Sequence, residues 1–259
     1  MSILDKIIEH KQGEIKLAKQ SCSLEALKQE NLYSRKTVSL KQSFSSQRYC
    51  LIAEHKRKSP SKGIINDAVG LEEVVAGYQE AGASAISVLT DNEFFAGSLA
   101  DLALARETTT LPILRKDFMV DSYQVHEAKA YGADLILLIA RVLSVQQYTD
   151  IAGTAKELGM ECLLEIHGEE ELSGLDLNLI DFLGVNNRNL ESFETSIQHS
   201  IDIASKLPKE TFKISESGIY TSEDAKSLLE AGYQGFLIGE SFMRESAPGQ
   251  ACHDFLAQI

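Results

Sequence analysis

The sequence predicts an α/β protein: a closed (β/α)8 TIM barrel behind an N-terminal helical extension. Three observations point to it. From residue 48 onward, eight short apolar runs alternate with amphipathic stretches: CLIAE, AISVL, PILRKDF, DLILLIA, ECLLEI, FLGVN, FKISES and GFLIGE. Their starts lie roughly 20 to 35 residues apart, room for one helix and two short loops each time. Several of the intervening stretches close on the same punctuation, with Gly82, Gly132, Gly159 and Gly232 just before the next run, where glycine ends a helix in the left-handed conformation. Because the runs are apolar on both faces, they read as parallel strands covered by helices, and eight such units suit a closed barrel. An open doubly wound sheet is the alternative, but no GxGxxG follows the first run to hold a dinucleotide.

Residues 1–47 form the extension. They are polar and helix-periodic, with Leu4, Ile7, Ile8 and Ile15 on one stripe, then Leu24 and Leu27 behind a Ser23 cap. Residues 48–259 form the barrel, and the two parts are read as a single domain, the extension packed on the barrel. In such a barrel alternate side chains point inward and chemistry gathers at the C-terminal ends of the strands. The first strand places Ile52, Glu54 and Lys56 on one face, with His55 on the opposite face toward the helices, a structural position. The third places Leu114, Lys116 and Phe118 on one face. The fifth ends at Glu165, the sixth at Asn186 with Arg188 beyond, and the seventh at Glu216. Any one of these is ordinarily a strand-end charge reaching water. Glu54, Lys56, Lys116, Glu165, Asn186 and Glu216 delivered to one mouth are better explained as a site, because clustered buried charges are costly unless their pKa values serve a purpose.

The turns after the last two strands, Glu216-Ser217-Gly218-Ile219 and Ile238-Gly239-Glu240-Ser241, fall where barrels hold phosphate on backbone N–H groups. Ser59-Pro60-Ser61-Lys62-Gly63 adds hydroxyl donors after the first strand. Glu240 suits a phosphate only through its main-chain N–H, with its carboxylate turned away. The alternative is that these are plain caps and tight turns.

Composition narrows the partners. The 259 residues carry 25 Lys and Arg against 38 Asp and Glu, a net charge of −13, which argues against broad binding to nucleic acid or anionic membrane. No window reaches the ~18 apolar residues of a membrane span, and the N-terminus has no secretory apolar region. Four scattered cysteines without CxxC pairing read as reduced thiols in a cytoplasm. Six histidines without HxxxH or HxH spacing give no support to a metal site. The expected partner is a small phosphorylated molecule, met by a monomer.

The residues also resemble a known family. Glu54-His55-Lys56-Arg57-Lys58-Ser59-Pro60-Ser61-Lys62-Gly63 is similar to the signature of the indole-3-glycerol phosphate synthases, as are Leu89-Thr90, Phe95 with Gly97-Ser98, Ile113-Leu114-Arg115-Lys116-Asp117-Phe118 and Leu164-Glu165-Ile166. Gly184-Val185-Asn186-Asn187-Arg188-Asn189-Leu190, Glu216-Ser217-Gly218 and Leu237-Ile238-Gly239-Glu240-Ser241-Phe242-Met243 continue the series. The resemblance spans nearly the whole chain and departs at His55, where the family usually has an apolar residue. It implies cofactor-free ring closure of 1-(2-carboxyphenylamino)-1-deoxyribulose 5-phosphate with loss of carbon dioxide and water. It further implies Lys116 as general acid at the ribulose carbonyl and Glu165, with Lys56 and Glu54, in the dehydration. Lys56 is also suited to the substrate carboxylate. Asn186, Arg188, Glu216 and Ser217 would position the ribulose chain, and Phe95 and Phe118 would wall the aromatic ring. A Schiff-base aldolase using Lys116 is the rival enzyme, and a sugar-phosphate-binding barrel without chemistry the third reading.

Overall fold

All eight apolar runs are strands, and they close on themselves. In order they are β1 (Cys50–His55), β2 (Ala85–Leu89), β3 (Ile113–Lys116), β4 (Leu135–Ile139), β5 (Glu161–Ile166), β6 (Phe182–Asn186), β7 (Lys213–Glu216) and β8 (Gly235–Ile238). Each pairs in parallel with its neighbour in sequence, and β8 returns to β1 with Gly235 opposite Cys50, sealing the barrel. The computed structural model describes residues 3–44, 48–189 and 193–259. Leu190 and the expected boundary after residue 47 lie outside the described residues.

The inward side chains of the strands, among them Ile52, Ala85, Leu114, Leu135, Leu163, Phe182, Ile214 and Leu237, make one buried cluster that fills the barrel. The outward ones, such as Leu51, Ile86, Ile136 and Phe236, join helix residues in a second. The double-sided burial explains why the runs are continuously apolar rather than alternating.

The helices are α1 (Ile3–Ser21), α2 (Leu24–Gln29) and α3 (Leu40–Phe44) in the extension, then α4 (Leu71–Ala81), α5 (Asn92–Phe95), α6 (Leu99–Thr108), α7 (Tyr123–Ala130), α8 (Val145–Glu157), α9 (Gln198–Ile203), α10 (Ser222–Glu230), α11 (Glu240–Met243) and α12 (Pro248–Leu256). Gly82 caps α4 at φ +95°, while Gly132, Gly159 and Gly232 each follow the cap residue, all with positive φ. Not every interval keeps the expected one-helix pattern: α5 and α6 both lie between β2 and β3. Between β5 and β6 the chain makes only 3-10 turns, Glu169–Leu172 and Leu177–Leu179, because Gly168, Ser173, Gly174 and Asp176 interrupt any longer helix. After β1 the expected rigid turn is a small hairpin, Lys58–Ser59 against Gly63–Ile64.

The extension touches both ends of the barrel. At the base, Leu40 of α3 is fully buried in the interior cluster, worth about 1.5–3 kcal/mol, and the Phe44 ring meets Phe212 edge-on at 4.2 Å. Glu161, the first residue of β5, accepts from the Leu40 backbone N–H at 2.9 Å and from the Ser39 hydroxyl, and so caps α3. Asp134 binds the same segment to the base, accepting from the Val38 backbone N–H and the Arg35 guanidinium at 2.7 Å each, and from the Ile113 N–H at 2.9 Å. Helix α1 runs to the opposite end, packing Ile15 with Leu27 against Val120, Tyr123 and Ala130.

Candidate active site

A pocket opens at the C-terminal end of the strands. The six inward polar residues expected from the strand ends all line it, as do Ser59, Phe95, Phe118, Arg188, Ser217, Gly218, Gly239 and Glu240. The reason is the period of two along each strand, which carries an apolar inward row up to a polar last member.

Lys116 sits at the centre, its Nζ 3.4 Å from Glu165 Oε2 and 3.7 Å from Glu216 Oε2. Glu54 Oε1 accepts from Lys56 Nζ at 2.8 Å and Glu54 Oε2 from the Ser87 hydroxyl at 3.2 Å. Asn186 donates to Glu165 Oε1 at 3.0 Å and accepts the Arg188 backbone N–H at 2.9 Å. Burial alone would lower the Lys116 pKa, but Glu165, Glu216 and Glu54 outweigh it and raise it above its usual value. Burial would raise Glu54 and Glu165; Lys56 and Lys116 outweigh it at Glu54, and Lys116 with Asn186 and the nearby His167 outweighs it at Glu165, so both are lowered. Glu216 goes the other way. Its burial and the adjacent Glu165 charge push it up to about 8, and its Oε1 is buried without a hydrogen-bond partner. The site therefore holds an ammonium, two carboxylates and a neutral carboxylic acid at neutral pH, divergent environments of the kind that separate acid from base.

Two glycines make room for these carboxylates. A Cβ at Gly239 would stand 2.8 Å from Glu54 Oε1, and one at Gly184 of β6 would collide with Glu216 Oε1. Next to them, Ser217 and Gly218 both adopt left-handed backbone, φ +68° and +72°. The conformation is unfavourable for the non-glycine Ser217. It turns the chain sharply at the end of β7, beside the start of α11.

Glu240 departs from expectation. Its carboxylate does not turn away but stays at the pocket wall, 3.2 Å from Arg188 Nη2 and 3.7 Å from Lys62 Nζ, while Arg188 also donates to the Ser61 hydroxyl at 3.2 Å. The turn after β1 is thereby stitched to the ends of β6 and β8. His55 is on the outer face, 2% exposed, and burial with the nearby Arg57 charge lowers its pKa to about 4.

The sequence profile of the indole-3-glycerol phosphate synthases matches residues 4–255. The chain belongs to the indole-3-glycerol phosphate synthase family. The indole-3-glycerol phosphate synthase of Bacteroides thetaiotaomicron is 46% identical over 257 residues, covering 99% of this chain and 98% of its own. Those of Burkholderia ambifaria and Legionella pneumophila are 42% and 43% identical, each over 96% of both chains. Among solved structures, 3-hexulose-6-phosphate synthase of Salmonella typhimurium superposes with a TM-score of 0.62 at 15% identity, over 81% of this chain and 99% of its own. Thiamine phosphate pyrophosphorylase of Pyrococcus furiosus does so at 0.59 and 14%, over 85% and 97%. At such identities they share the barrel alone.

The synthase-family pocket has a further wall that strand-end reasoning missed. Ile3, Leu4 and Ile7 of α1 line it, and Lys11 on the same helix is 1% exposed, its Nζ within 2.9 Å of Asp91 and Asp117. The signal was present: Lys11 occupies the stripe position between Ile7 and Ile15, four residues from each, where a charge has no place unless it is paired. Among the described residues no helix is long and apolar enough to cross a membrane.

Proposed function

We propose that the chain closes the indole ring of 1-(2-carboxyphenylamino)-1-deoxyribulose 5-phosphate, releasing carbon dioxide and water, and that Lys116 is the acid that starts it. The observation that carries the reading is the ammonium of Lys116 held between Glu165 and Glu216. The ring carbon bearing the carboxylate attacks the ribulose carbonyl, whose oxygen needs a proton as the bond forms, and a raised-pKa lysine inside the barrel supplies it. Loss of the carboxylate restores aromaticity. Dehydration then asks for a base at the ring-side proton and an acid at the departing hydroxyl. Glu165, ionised and aligned by Asn186, serves that step with Lys56 and Glu54. Lys56 also meets the substrate carboxylate, and Asn186, Arg188, Glu216 and Ser217 hold the ribulose chain. The Phe95 and Phe118 rings, 6.1 Å apart, flank the aromatic end. The phosphate sits on the turns at Ser59, Gly218 and Gly239 and on the Glu240 backbone N–H, the neutralised Glu240 carboxylate adding little repulsion.

The extension and barrel act as one domain and the chain as a monomer in the cytoplasm, needing no nucleic acid, no membrane and no cofactor; its cysteines are free thiols. A Schiff-base mechanism needs Lys116 as a neutral amine, and the ionised Glu165 and Glu54 beside it oppose that. The test is Glu165→Gln, which keeps size and polarity and removes the base. Substrate binding should persist while turnover falls roughly 10²-fold to 10⁴-fold, read by indole fluorescence against a chain that has no Trp. Turnover within about twofold of the parent would make Glu165 structural, and borohydride trapping a substrate adduct on Lys116 would replace the acid by the imine chemistry.

A further inference from the structure

We propose that Lys11, on the N-terminal extension, is a positioning residue for the aromatic end of the substrate, acting through the two aspartates that hold Phe95 and Phe118. The inference rests on the pocket reading above and adds to it a residue outside the barrel. Lys11 is buried at a stripe position of α1, with Ile7 and Ile15 one turn to either side. Its Nζ lies 2.9 Å from Asp91 Oδ2, 2.9 Å from Asp117 Oδ1 and 2.8 Å from Glu14 Oε2. The two aspartates come from different loops. Asp91 follows β2, and Asp117 follows β3, directly after Lys116.

Each aspartate uses its remaining capacity to fix the backbone of an aromatic residue. Asp91 Oδ1 caps α5 by accepting the Phe94 N–H at 2.8 Å, and its carbonyl accepts the Gly97 N–H at 2.9 Å, which bracket Phe95. Asp117 Oδ1 accepts the Phe118 N–H at 2.8 Å, and Oδ2 accepts from the Thr90 hydroxyl at 2.5 Å and from Arg115 at 3.1 Å. Gly97 must stay bare for this turn to close, because a Cβ there would strike the Leu89 carbonyl. One buried ammonium thus spans the β2 and β3 loops, and the two rings attached to them pack together on the pocket wall, 6.1 Å apart at 39°. The same helix contributes Ile3, Leu4 and Ile7 to the pocket wall.

Without the ammonium, two carboxylates face each other in a buried space, Asp117 still paired with Arg115, and the β2 and β3 loops separate. The chemistry at Lys116 and the phosphate turns at Ser59, Gly218 and Gly239 sit on other contacts. Loss of Lys11 is therefore read on the aromatic end of the substrate, not on catalysis in general.

The experiment compares the full-length parent with Lys11→Met, measuring substrate KM and kcat and the inhibition constant of inorganic phosphate. KM should rise about 10-fold or more, the scale of a small misplacement in a binding wall, with kcat within about threefold and phosphate inhibition unchanged, a split that marks lost ground-state binding. Lys11→Met with Asp91→Asn removes the uncompensated charge while keeping a capping side chain. It should fold where the single variant does not, and still show the raised KM. Lys11→Arg, which keeps the cation, should recover most of the loss. A folded single or double variant with the parental KM overturns the proposal, as does equal weakening of substrate and phosphate, the mark of general destabilisation. A parent chain without turnover overturns the pocket reading together with this one; a working parent beside a variant of unchanged KM overturns this one alone.

Discussion

Acidification should unfold this protein partly through His55, and replacing that one residue should remove the effect. His55 ends β1 on the outer face, 2% exposed, with its Nε2 buried and without a hydrogen-bond partner. Desolvation and the Arg57 charge disfavour its imidazolium; Asp101 and Glu54 favour it but do not prevail, and the pKa falls from 6.5 to about 4. Above pH 6.5 the ring is neutral folded or unfolded and nothing changes with pH. Below 6.5 the unfolded chain takes up a proton that the folded one refuses, so stability is lost progressively until about pH 4, where both forms are charged. Across the interval between the two values the whole loss is about 3 kcal/mol, most of it gone by pH 4.5. In a chain of this size that corresponds to roughly 5–10 °C in Tm. His55→Leu keeps the volume and abolishes the titration. Thermal melts of both proteins between about pH 7.5 and 4.5 separate this contribution from the many carboxylates they share. Curves for parent and variant that fall in parallel would refute the argument; the expected result is a gap that opens in favour of the variant as the pH drops.

The site supports three further expectations. Inorganic phosphate or sulfate should compete with substrate, and competition should survive substitution of Lys116, because the Ser59, Gly218 and Gly239 turns bind a dianion without that ammonium; non-competitive inhibition would move the phosphate elsewhere. Gly184→Ala should leave the barrel folded, as seen by circular dichroism, yet cut kcat/KM by about 10²-fold, since its Cβ displaces Glu216 Oε1; an unchanged rate would mean that the position of Glu216 is immaterial. With Glu216 neutral below about pH 8, kcat/KM should decline as the pH rises past that value. In Glu216→Gln the decline should vanish while the neutral-pH rate is largely kept; a decline that persists belongs to another group.

The barrel could be read from the chain because burial on both faces leaves a local trace: continuous apolar runs of strand length, separated by helices that end on Gly82, Gly132, Gly159 and Gly232. The strand ends carried the same kind of information. A period of two is enough to place Glu54 with Ile52, or Lys116 with Leu114, on the inward side, and the closed topology then brings five such ends together. What the sequence could not carry was anything decided by contacts between distant segments. The stretch between β5 and β6 leaves room for a helix, yet its glycines, Ser173 and Asp176 make it turns instead. Glu240 is out of place beside a phosphate by its sequence alone, and the Arg188 and Lys62 that pair with its carboxylate lie 52 and 178 positions away in sequence. Which carboxyl keeps its proton is likewise a matter of placement, since Glu165 faces Lys116 and Asn186 while Glu216 is left with an unpartnered oxygen. Lys11 is the plainest instance. Its position in the stripe of α1 was visible as an anomaly, but the aspartates that accept it lie beyond two strands of the barrel, and charge pairing over that separation has no periodicity to announce it. Local hydrophobic pattern determined the elements and their inward faces; electrostatics between elements, which depend on distances that exist only once the chain has folded, decided the protonation states of the site and what holds its walls.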